Sequence, residues 1–130
     1  MSEQQITIKF GIICDDVRRE ENGKFILIGV YGHDIIVPSL PANILVSVVY
    51  QFEAKETGSF ETTFRISIDD EVQIEGKGKF QVAAPGIGLA AVPNVVIPTE
   101  REGLLKFELQ IGDSDFMPVT SIPLALQKRK

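Results

Sequence analysis

Hydrophobic and polar positions alternate with period two along much of this chain. From Phe60 to Ile68, Phe60, Thr62, Phe64, Ile66 and Ile68 fall on one face, and Glu61, Thr63, Arg65 and Ser67 fall on the other. That is the pattern of a strand with one wet side. Val72, Ile74, Gly76, Gly78, Phe80 and Val82 repeat it against Glu71, Gln73, Glu75, Lys77, Lys79 and Gln81. The intervening Asp69-Asp70 suits a tight hairpin turn. Gly76 and Gly78, inside the second run, predict a bend or bulge. Leu105, Phe107, Leu109 and Ile111 alternate with Lys106, Glu108 and Gln110, and Ile122, Leu124 and Leu126 open a further run after Pro118.

Three other segments are apolar on both faces or nearly so: Ile6 to Cys14, Phe25 to Tyr31 and Ile44 to Phe52. Such runs suit central strands, or strands that meet a second sheet, a second subunit or a covering loop. No window carries a helical stripe. Short strands punctuated by Gly and Pro predict an all-β fold, an antiparallel β-sandwich of seven to nine strands. An immunoglobulin-like arrangement is the first choice, although the disulfide and core tryptophan of antibody domains are absent, with one Cys and no Trp.

Composition narrows the class. A chain of 130 residues, 44% hydrophobic and 24% charged, fits a single globular domain over 1–130, with 1–5 and 127–130 expected to fray. Burying roughly two-thirds of its unfolded surface, it needs no disulfide or metal to fold. Cys14 stands alone, which excludes an internal disulfide and suits a reducing compartment. MSEQQ has no basic start leading into an apolar stretch, and no apolar run approaches a membrane span, so the expectation is a cytoplasmic protein without a membrane role. The formal charge of −5 works against nucleic-acid binding, which relies on clustered Lys and Arg. The one basic cluster, Lys128, Arg129 and Lys130, reads as a solvated tail.

Candidate chemistry concentrates in ICDDVRREENGKFILIGVYGHDIIVP, which holds the cysteine and the single histidine. Asn22-Gly23 is a turn signal, because both residues tolerate positive φ, so Asp15 to Glu21 read as a charged connection after a first strand ending near Cys14. Cys14 falls in phase with Ile6, Ile8, Phe10 and Ile12 and reads as a buried core thiol. His33-Asp34 invites a catalytic reading, but His33 is expected about one strand length from Cys14, too far for a dyad. Gly86 to Ala91, GIGLAA, has the spacing of a dinucleotide-binding loop but precedes Pro93 and VVIP rather than a helix, so it reads as a flexible inter-strand loop. No cofactor is implied.

Calcium is the sharper possibility, because hard cations take carboxylate oxygens gathered from neighbouring loops. If successive strands run antiparallel, Asp15, Asp16, Glu53, Glu56, Asp113 and Asp115 fall at one end, and His33, Asp34, Asp69 and Asp70 at the other. Arg18, Arg19 and Lys55 sit among the first group and can neutralise it without an ion. Asp15, Asp16, Asp113 and Asp115 are the metal candidates.

The segment CDDVRREENGKFILIGVYGHDIIVP, with alternating strands and EGLLKFELQIGD after it, resembles an uncharacterised family of small bacterial proteins of mostly β structure. The likeness spans most of the chain and is strongest around Cys14-Asp15-Asp16 and Leu27-Ile28-Gly29-Val30-Tyr31. It implies a bacterial, intracellular, single-domain protein, and it carries over no catalytic residues.

Two classes of function are open to such a chain. The first is a non-enzymatic module that binds a protein partner or itself, through the doubly apolar strands near Ile26, Ile28 and Val30 or Val95, Val96 and Ile97. Within it, the loop Gly32 to Ala42, stiffened by Pro38 and Pro41, offers His33, Asp34 and Leu40 as candidate contacts, unless it simply crosses between sheets. The second is a metal-dependent ligand-binding module or enzyme built on Asp15/Asp16 and Asp113/Asp115.

Overall fold

The computed structural model describes residues 6–128, and among them the chain forms nine strands and no helix. They are β1 (Ile6–Arg19), β2 (Phe25–Val30), β3 (Ile35–Val37), β4 (Ala42–Ala54), β5 (Gly58–Ile68), β6 (Glu71–Val82), β7 (Gly86–Thr99), β8 (Gly103–Ile111) and β9 (Met117–Leu126). They build two sheets. One has the order β2-β1-β4-β7 and the other β3-β9-β8-β5-β6. The all-β expectation holds.

Where alternation is strict, the strands lie as the pattern predicts. On β5, Ile66 and Ile68 are fully buried, and on β8, Leu105, Phe107 and Leu109 are buried beside them in register. Asp69 and Asp70 both adopt positive φ, 49° and 68°, as a two-residue hairpin turn demands. The Asp69 carboxylate also accepts the Leu104 N–H at 2.8 Å, so the turn is tied to the start of β8. Inner residues of the other sheet, among them Ile13, Val46, Val48, Tyr50, Val95 and Ile97, complete one shared core. Phe52, Phe60, Phe80 and Tyr50 form an aromatic cluster at its β4–β6 side.

Four expectations need correction. β1 does not end near Cys14 but runs on to Arg19, and Asp16 to Arg19 pair with β2. Hydrogen bonding along this hairpin outweighs its polarity, and the turn occupies only the residues around Asn22 and Gly23, with the Gly23 N–H donating to Glu20 O. Second, the 32–42 loop is interrupted by β3, three residues that pair parallel with β9 and bury Ile35 and Val37, so the second sheet is mixed. Third, Gly76 and Gly78 pair without interruption with Phe64 and Thr62. The ring of Phe64 fills the space a Gly76 side chain would take, and the β5–β6 irregularity lies at Ile66/Ser67 instead. Fourth, GIGLAA is no loop but the first half of β7, paired residue by residue with β4. Pro93 and Pro98 are accommodated because β7 is an edge strand.

At the C-terminal end, Gln127, expected to fray, is held by its N–H donating to Val37 O at 2.8 Å. Residues 1–5, Arg129 and Lys130 lie outside the described residues.

Candidate functional site

The site assembles on the outer face of the β2-β1-β4-β7 sheet. Its register defines cross-strand rows: Ile12, Val49 and Ala91; Phe10, Gln51 and Leu89; Cys14 between Val30 and Ser47; Leu45 beside Val96; Ile28 beside Asp16; Ile26 beside Arg18. Twelve large hydrophobic side chains are exposed among the described residues, and eight belong here: Phe10, Ile26, Ile28, Val30, Leu45, Ile87, Leu89 and Val96, each 41 to 64% exposed.

Two backbone irregularities create this face. A register shift between Ile8 and Phe10 changes the phase of β1, so that Ile6 and Ile13 point into the core while Phe10, Ile12 and Cys14 turn outward. The expected common phase of Ile6, Ile8, Phe10, Ile12 and Cys14 is therefore broken at the bulge, which inserts one residue and reverses the facing of the residues beyond it. On β7, a second shift accompanies Asn94, whose φ is 56°. The Asn94 N–H donates to Ser47 Oγ at 3.0 Å, which satisfies a hydroxyl that is fully buried between its neighbours. Cys14, Ser47 and Val49 are at most 2% exposed, so they form the floor of the face, with larger side chains rising on either side.

Cys14 is buried as expected, but under this outer layer rather than in the core between the sheets. Its thiol donates to the Asp16 carbonyl at 3.3 Å, and burial, reinforced by the Asp15 charge, raises its pKa above the ordinary value. The group is held as a neutral thiol, the opposite of an activated nucleophile. His33 is not a strand length away. Because β1 extends beyond Cys14 and β2 returns alongside it, Val30 lies opposite Cys14 and His33 is three residues further, about 10 Å at strand pitch. His33 itself is exposed and lines an open pocket of about 210 Å³ with Tyr31, Gly11 and Thr120. Asp34 is half-buried, and Leu40, also half-buried, packs against the core.

The acidic residues fall apart into two groups. Ile6 pairs with Ala54 and Cys14 with Ser47, so the β4–β5 turn with Glu53 and Glu56 lies at the Ile6 end of β1, far from Asp15 and Asp16. The β8–β9 turn with Asp113 and Asp115 lies at that same Ile6 end, since the Gly112 N–H donates to Glu61 O near the start of β5. The expected union of Asp15, Asp16, Asp113 and Asp115 fails because β3 adds one reversal of the chain, and that inverts the direction of every later strand. Among the described residues no three His, Cys, Asp or Glu side chains are grouped to hold a metal ion.

Asp15 is engaged otherwise. Its carboxylate lies where a side chain on Gly29 would sit, and it accepts the Tyr31 hydroxyl at 2.7 Å. Burial and then this hydrogen bond push the Tyr31 pKa up to about 12. Asp16 accepts the Arg18 Nε–H at 3.1 Å.

The outer face of the second sheet is of another kind. Arg65 bridges to Glu108 at 3.2 Å and stacks on Phe116, and Lys106 bonds Asp70 at 2.8 Å. Glu61, Thr63, Lys77, Lys79, Gln110 and Asp113 line a shallow polar groove of about 620 Å³ there.

The sequence pattern singles out β2 and the 95–97 stretch, and misses Phe10, Leu45, Ile87 and Leu89. Leu45 and Phe10 stand out only as members of doubly apolar runs, and Ile87 and Leu89 are hidden in a segment with the composition of a loop. Among the described residues no helix is long and apolar enough to cross a membrane. No curated protein matches the chain. A family model does, over residues 9–127, which takes in all of β2 to β9 and most of β1 with the apolar face they build: the chain belongs to DUF6941, a family of unknown function.

Proposed function

We propose that the protein is a non-enzymatic, intracellular interaction module, and that the outer face of the β2-β1-β4-β7 sheet is its binding surface. One observation carries this reading: eight of the twelve exposed large hydrophobics among the described residues share one sheet face. At the areas of exposed Val, Leu, Ile and Phe side chains, those fractions amount to on the order of 700 Å² of apolar surface, above the about 300–600 Å² of the largest patch on an ordinary monomer. A partner that covers it replaces water on a β-branched surface already held rigid by three strand pairings, so little ordering cost opposes binding. Two mostly antiparallel sheets around one core also support an immunoglobulin-like sandwich, a scaffold whose sheet faces are free to carry such a surface.

A photo-crosslinking residue placed at Leu45, and separately at Lys77 on the polar sheet, tests the reading in extract of the native cell. Discrete protein adducts are expected from position 45 and not from position 77. Equal labelling from both positions, or none from 45, overturns it.

A further inference from the structure

We infer that the occupant of this face is a second copy of the chain, packed sheet against sheet about a two-fold axis. This rests on the interaction reading above and names the partner. Area favours this occupant. The roughly 700 Å² of apolar side chain, together with the polar groups between, reaches the ~800 Å² that each partner buries in a standard-sized interface, so one symmetric contact consumes the whole patch.

Charge favours it as well. The chain carries −5 overall, which discourages two copies from meeting through an arbitrary surface. This face is locally neutral. Among the described residues, the charged groups placed on it form two pairs, Arg18 with Asp16 at 3.1 Å and Lys9 with Glu53 at 3.3 Å. A heterologous partner would gain nothing from a charge of either sign here, whereas an identical face meets no like-charge repulsion.

Relief agrees with this. Cys14, Ser47 and Val49, on the two central strands, are covered in the single chain, while Ile26, Ile28 and Val30 on β2, Leu45 on β4 and Val96 on β7 project from the face. A two-fold axis sets the projecting apolar side chains of each copy against those of the other, so that one patch serves both sides of an isologous interface. Leu45, on the central strand β4, is expected to carry much of the strength of such a contact.

Sedimentation equilibrium of the purified 130-residue chain from about 1 to 100 μM tests the inference. The parent is expected at twice 14.3 kDa. Leu45→Glu, 54% exposed in the single chain and so tolerated by the fold, is expected to weaken self-association by about 30-fold or more. Ile87→Lys serves as a second variant on the same face, Lys77→Glu as the control on the opposite sheet, and circular dichroism verifies that each is folded. Loss of the dimer in both apolar-face variants and its retention in the control support the inference. A parent that stays at 14.3 kDa throughout, or a dimer that Leu45→Glu leaves intact, overturns it. A monomeric parent that still gives adducts with another protein from position 45 refutes the second copy alone, while absence of adducts refutes the interaction reading as well.

Discussion

On the outer face of one sheet, Ile12, Val49 and Ala91 lie side by side across three strands; on the outer face of the other, the equivalent row is Lys77, Thr63 and Gln110. Both sheets bury their inner faces in the same core, so the core does not account for the difference. On the polar face, cross-strand neighbours are matched in charge: Glu61 stands opposite Lys79, and Arg65 stands opposite Glu75 on one side and Glu108 on the other. Such lateral pairs stabilise a sheet while leaving it wet. On the apolar face the laterals are β-branched and aliphatic, which stabilises the sheet equally well but leaves surface that water hydrates poorly. Strict alternation therefore marks the wet face, and its loss over β1, β2, β4 and β7 marks the apolar one.

The hardest test of that contrast is a charge placed in the same position of each face. Val49→Asp puts a carboxylate on a 2% exposed site without a partner, and a loss of about 4 kcal/mol of unfolding free energy is expected. Thr63→Asp, beside Lys77, is expected to change stability by less than about 1 kcal/mol. Urea denaturation of both variants decides the matter, and equal losses would mean that the two faces are not different environments.

A smaller effect is expected where the apolar face meets its edge. Gly29 lies between Ile28 and Val30 on β2 with φ of 69°, and the Asp15 carboxylate occupies the space a side chain would need. Gly29→Ala is therefore strained by backbone and by contact, at about 2 kcal/mol. Amide exchange should show the loosening concentrated in β2 and the 14–19 half of β1. Uniform acceleration over both sheets would show instead that β2 is an integral part of the common core.

How legible this is in the sequence depends on how local the deciding interaction is. The Asp69-Asp70 and Asn22-Gly23 turns, the strict strands β5, β6 and β8, and the doubly apolar character of β2 are written in residues a few positions apart, and they are readable. The two bulges at Ile8/Phe10 and near Asn94 are not. Each inserts one residue in answer to a neighbouring strand, and that neighbour is 40 or more positions away in sequence. β3 escapes for a related reason: three residues carry no periodicity, and their partner is β9. Without that one strand the direction of every later strand reverses, and Asp113 and Asp115 fall with Asp15 and Asp16. The burial of Cys14 is legible from its apolar neighbours, but the bulge decides which side of the sheet buries it.

The smallest effect separates shielded from wet contacts by titration. On the polar face, Asp70 is exposed and Lys106 half-buried, and their mutual attraction holds Asp70 below and Lys106 above the ordinary values. Attraction through water fades when the screening length falls to about 3 Å in 1 M salt, so the Asp70 shift should collapse there. Tyr31, packed against the core between the sheets, is raised to about 12 first by burial and then by Asp15. Desolvation is not screened, so its shift should persist in salt. The raised value means that the fold favours the neutral phenol: the stabilisation is fully present below pH 10, the phenol's ordinary value, and is lost as pH rises toward 12. The chain has two tyrosines, so in a Tyr50→Phe background the ultraviolet absorbance of tyrosinate reports on Tyr31 alone. Asp15→Asn should lower the midpoint only part of the way to 10, because the larger cause remains. A midpoint that falls the whole way, or that collapses in salt as Asp70 does, would put Tyr31 in the same wet environment as the opposite sheet.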